Sequence, residues 1–77
     1  MQTSDIHKAI AAELARAKRL HPHWPADPIH GAGVVCEEAG ELMKAALDAE
    51  YTNGEPQDIA TEAIHTAATA IRLLESL

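Results

Sequence analysis

Four side chains of this 77-residue sequence combine the donor chemistry and the spacing that a divalent cation needs: Glu38 with Glu41, and Glu62 with His65. Three residues apart on a helix puts both members of a pair on one face, one turn from each other. On a wheel of about 100° per residue, Val34, Val35, Leu42, Ala45 and Ala49 share one side of the first segment, and Glu38 falls in the middle of it. A carboxylate among apolar neighbours is costly to bury unless it is hydrogen-bonded, protonated or bound to a cation. Glu37 is within reach of Glu41 but projects more toward solvent. The second pair belongs to a polar stripe, Asp58, Glu62, His65, Thr69 and Arg72, with alanines opposite. The plainer alternatives are surface glutamates, Glu41 pairing with Lys44 at a few tenths of a kcal/mol, and a hydrogen-bonded core histidine at His65.

Three helices have to position these groups. Thr3 and Ser4 can cap the first, whose apolar residues Ile6, Ile10, Leu14, Ala17 and Leu20 recur at three- and four-residue steps up to about Leu20. Pro22, Pro25 and Pro28 make His21 to Asp27 a non-helical connection, because proline lacks an amide donor and restricts its predecessor. Asp27-Pro28 reads as an N-cap and first-turn proline opening a second helix that runs to about Tyr51. Asn53-Gly54 stops it, and Pro56 fits the first turn of a third helix with Ile59, Ala63, Ala67, Ala70 and Leu74 along one face. The short second connection favours antiparallel packing, which brings Glu38 and Glu41 opposite Glu62 and His65.

Composition narrows the class. Hydrophobic residues make up 47% of the chain with no Phe, one Trp and one Tyr, so the apolar volume is alanine and aliphatic, suited to close helix contact. Twelve acidic against six basic residues give a net charge of −6, which argues against a nucleic-acid partner. Nothing approaches the roughly 20 apolar residues of a membrane span. The lone Cys36 and an amino terminus unlike a signal peptide predict a cytoplasmic protein. The expected architecture is all-α: residues 1–77 as one domain of three helices. Cys36, Met43 and Leu47 extend the apolar arc of the second helix round most of its circumference, which predicts a homodimer or homotetramer with a four-helix-type core. Val34, Val35, Leu42, Ala46, Ile59, Ala63 and Ala67 are the expected dimer-core residues.

Glu37-Glu38-Ala39-Gly40-Glu41-Leu42 resembles the EExxE segment of MazG-like nucleoside triphosphate pyrophosphohydrolases, an all-α superfamily, over about residues 21 to 77. Glu62-Ala63-Ile64-His65 occupies the place of the family's second motif, ExxD, with histidine where aspartate is expected. The resemblance implies that Glu38, Glu41 and Glu62 coordinate Mg²⁺ or Mn²⁺, with His65 at the fourth ligand position. It implies a nucleoside triphosphate as substrate, with monophosphate and pyrophosphate as products. Glu37 and Glu38 are then the catalytic carboxylates, Glu37 being placed to orient or deprotonate water, and Arg72, Lys44 and Trp24 are substrate-binding candidates for phosphate and base. Imidazole suits transition metals better than magnesium, so His65 also admits zinc, iron or nickel.

Two other functions fit the same residues. Glu-x-x-His on one helix with glutamate on its neighbour resembles the ligand pattern of di-metal carboxylate bundles, in which no nucleotide chemistry is needed. A helical interaction module with a residual acidic cluster is the other. His21, His23 and His30 form a second histidine group around the prolines, able to take a transition metal or simply to be solvated. Trp24, the only large apolar aromatic, either stacks on a base or covers the open end of a small core.

Overall fold

Proline and asparagine set the two joints of the chain; the computed structural model describes all 77 residues and has three helices, α1 (Thr3–Leu20), α2 (Pro28–Tyr51) and α3 (Gln57–Ser76). The Asp27 carboxylate accepts the Ile29 amide at 2.9 Å and Pro28 fills the first turn of α2, as the Asp-Pro pair predicts. Asn53 ends α2 by adopting the left-handed φ of 67°, a conformation asparagine tolerates. That turn lets the Gly54 amide donate back to the Asp48 carbonyl at 2.8 Å. A β-carbon on Gly54 would lie 2.7 Å from that of Asp48, so the joint requires glycine.

Two boundaries differ from expectation by a residue. The Ile6 amide already bonds the Gln2 carbonyl at 3.0 Å, so Gln2 is the cap position of α1, while Thr3 and Ser4 lie inside the helix and make no cap bond. Pro56 caps α3 from just outside it, and the first turn is tightened by bonds from Asp58 to Glu55 and from Ile59 to Pro56.

Helix α3 is central. Gly31 at the start of α2 meets Leu73 near the end of α3, which makes those two helices antiparallel. Lys18 and Glu75, at the ends of α1 and α3, pair at 2.9 Å, which makes those two parallel. Helices α1 and α2 both pack on α3 and not on each other. A cleft therefore opens between them along α3, closed at one end by the His21–Asp27 connection. Ala68 is the only buried hydrophobic residue, because three small-residue helices laid side by side enclose little volume. Val34, Val35, Leu42, Ala46, Ile59 and Ala67 are half-buried against their own chain, whereas Ala63 is exposed. No helix is long and apolar enough to cross a membrane.

Candidate metal centre

The cleft holds about 390 Å³ and draws on every element: Glu13 and Arg16 from α1, Glu38 and Glu41 from α2, and Glu62, His65, Thr69 and Arg72 from α3. Glu38, Glu62 and His65 each bring one donor atom to within 4.8 Å of the other two. These three come from two antiparallel helices, the meeting that the paired spacings predict. Glu38 Oε2 and Glu62 Oε2 are both buried without a hydrogen-bond partner. Buried acceptors left unpaired are uncommon, and two carboxylates gathered beside one imidazole call for a cation or protons between them.

The electrostatics follow from that placement. Burial pushes the Glu38 carboxyl above its ordinary value and the charge of Glu41 pushes it the same way; His65 opposes them, and Glu62 and Glu13 add lesser upward pushes. Glu13 moves the other way, chiefly because Arg16 donates to both its oxygens at 2.6 and 2.9 Å. His65 lies between two carboxylates, with Nδ1 3.4 Å from Glu62 Oε2 and Nε2 3.6 Å from Glu13 Oε2. The Thr69 hydroxyl donates to the His65 carbonyl at 2.7 Å, a bond within α3 that settles Thr69 without using the imidazole.

The remaining predicted site residues are distributed unevenly. Glu41 is exposed and lines the cleft outside the three-donor group. Glu37 is exposed and lines no part of the cleft. Lys44 pairs with Asp48 at 2.8 Å and not with Glu41, since the four-residue step brings the shorter aspartate under its ammonium. Arg72 lies 5.1 Å from the centre of the Trp24 ring and donates from Nη2 to the His21 carbonyl at 2.7 Å, tying the connection to α3. Trp24 packs on Gly31, where an added β-carbon would lie 3.2 Å from Nε1, so the indole covers the end of the core. His21 and His23 line the cleft, but His30 points elsewhere, and the three do not form a metal-binding group.

Glu13 and Arg16 are the site residues that sequence reasoning missed, and Glu13 is the more telling of the two. Its signal was present: with Arg16 it interrupts the apolar stripe of α1 between Ile10 and Ala17, where a carboxylate needs a reason just as Glu38 does. Comparison with family models, curated proteins and solved structures finds no match to the chain.

Proposed function

We propose that the cleft is a divalent-metal site and that the chain is a metal-dependent nucleoside triphosphate pyrophosphohydrolase of MazG-like kind. The observation that carries this reading is the convergence of Glu38 and Glu62, each with one buried and unpartnered oxygen, with His65 from two helices. These donors fit a metal in kind, two being anionic oxygens and one a nitrogen; an ion that holds such donors at about 2.0–2.2 Å keeps them within about 4.4 Å of each other, so the three, now within 4.8 Å, would close on it by a small side-chain movement. Glu38, Glu62 and His65 would hold it. A bound divalent ion supplies charge neutralisation on the phosphate oxygens and polarises water.

The chain's own residues account for the rest. Glu41 lies in the same cleft and outside the donor group, placed to orient water and take its proton as the water oxygen attacks the α-phosphorus. The bond from that phosphorus to the bridging oxygen breaks, and pyrophosphate leaves with the electron pair. Glu37, on the outside of α2, is less well placed for that proton than Glu41. Arg16, Arg72, His21 and His23 line the cleft around the carboxylates and supply donors for phosphate, although the chain as a whole is acidic. The Glu13 carboxylate stands 3.6 Å from the imidazole nitrogen that faces away from Glu62, on the side from which a carboxylate orients a ligating histidine.

The nitrogen donor favours a second reading, a bundle that binds a transition metal without hydrolysing nucleotides. A pyrophosphate-release assay over the common ribo- and deoxyribonucleoside triphosphates with Mg²⁺ and Mn²⁺ decides between them. Metal-dependent release that is lost in Glu38→Gln and Glu62→Gln supports the hydrolase. No release, with zinc or iron retained after purification, supports the second reading.

A further inference from the structure

The face of α2 opposite Glu38 is uncovered along its whole length. Ile29, Gly33, Cys36, Gly40, Met43 and Leu47 follow one another at four- and three-residue steps, and with Tyr51 beyond them they lie within about 40° of one direction on the helix wheel. Ile29 is 82% exposed, Met43 60%, Leu47 49% and Tyr51 77%. Alternating three- and four-residue steps are the spacing of a helix that packs along a partner helix. Gly33 and Gly40 have nothing within 4 Å of an added β-carbon, so no contact inside the chain calls for glycine at either helical position, where alanine is favoured.

The surface area points the same way. A folded monomer of 8.2 kDa has about 4,500 Å² of accessible surface, whereas this chain exposes 5441 Å², about 900 Å² more. A standard protein–protein interface takes about 800 Å² from each partner. The radius of gyration, 13.2 Å, likewise exceeds the roughly 11.5 Å of a compact domain of this length.

We propose that this face binds a second copy of the chain, α2 against α2 in antiparallel fashion, about a twofold axis at Gly40. A twofold contact must be self-complementary, and this register is. Gly40 meets its own counterpart at the axis, which permits close approach. Cys36 faces Met43, Gly33 faces Leu47 and Ile29 faces Tyr51, so smaller residues oppose larger ones. Beside the seam, Glu37 of each copy comes next to Lys44 of the other, opposite charges on a shared flank. Parallel pairing would instead set Met43 on Met43 and Gly33 on Gly33, crowding one level and leaving a gap at another. The dimer face is thus the outer arc of α2, and not the Val34, Val35 and Leu42 side expected from the sequence, which is half-buried against the chain's own helices. The proposal is independent of the metal assignment, because the seam and Glu38 lie on opposite sides of α2.

Sedimentation of the full chain from nanomolar to high micromolar concentration should give the dimer mass at the upper end, with a melting temperature that rises with concentration. Leu47→Glu should shift association to at least tenfold higher concentration, and Gly40→Ala should weaken it too, although on a free surface alanine would only strengthen the helix. Orientation is read by oxidation with oxidised glutathione. Gly40→Cys in a Cys36→Ser background should form a disulfide-linked dimer readily, while wild-type Cys36, two turns from its counterpart, should not. A chain that stays monomeric throughout overturns the proposal and leaves the face to a different protein. Ready cross-linking through wild-type Cys36 overturns the antiparallel register, because parallel pairing sets Cys36 on Cys36 and residue 40 on residue 40 alike.

Discussion

Glu38→Gln should stabilise the metal-free protein and remove most of its response to metal. In the absence of an ion, Glu38 Oε2 is buried without a partner, and its carboxyl value is raised first by burial and then by Glu41. An unsatisfied buried acceptor costs about 1–3 kcal/mol, and since only one oxygen is in that state the lower end applies, about 1 kcal/mol. For a domain of this size that amounts to about 4–8 °C in melting temperature. The sign follows from linkage: a carboxyl whose value is raised by folding holds its proton more tightly when folded. Its burden is therefore absent below the ordinary value of 4.5 and fully imposed above the raised one. The advantage of glutamine should be present at neutral pH in EDTA and vanish in acid. With metal at about a hundred times its dissociation constant the wild type gains about 2.7 kcal/mol and the order reverses. Melting curves by circular dichroism, with EDTA and with Mn²⁺ at two pH values, measure all of this. If the variant melts at or below the wild type in EDTA at neutral pH, or if Mn²⁺ raises both equally, a cation does not sit between these carboxylates.

His65→Asp should shift metal preference toward Mg²⁺ and His65→Ala should weaken binding of either ion, both read by titration calorimetry; wild-type affinity should fall on acidification as protons compete for the imidazole. Glu13→Ala should lower metal affinity about 10–100-fold in the same titrations, because it removes the carboxylate that stands beside His65 Nε2. Gly31→Ala should cost about 1 kcal/mol or more in denaturant unfolding, since the new methyl group would lie 3.1 Å from Leu73 Cδ1 and 3.2 Å from a Trp24 ring held under Arg72. Gly54→Ala should cost at least as much, its β-carbon falling 2.8 Å from the Asp48 carbonyl carbon.

Local rules were enough to delimit the helices, because Asp27-Pro28, Asn53-Gly54 and the run of prolines act within a few residues of themselves through amide donors and allowed backbone angles. The same is true of the pairing of Glu38 with Glu62 and His65, since periodicity puts each group on a face and a short connection sets α2 against α3. The placement of α1 was a different matter. Nothing local says that it lies parallel to α3 without touching α2, and that packing brings Glu13 to His65 and opens the cleft that Glu13 and Arg16 line. Nor does periodicity separate two apolar arcs of one helix. Val34, Val35 and Leu42 on one side of α2 and Met43 and Leu47 on the other read alike as sequence, and only the position of α3 decides which arc is covered by the chain and which is left for a partner. Lys44 was open between Glu41 and Asp48 for a related reason. A helix offers both at neighbouring steps, and periodicity alone does not choose between the three-residue step back to Glu41 and the four-residue step on to Asp48.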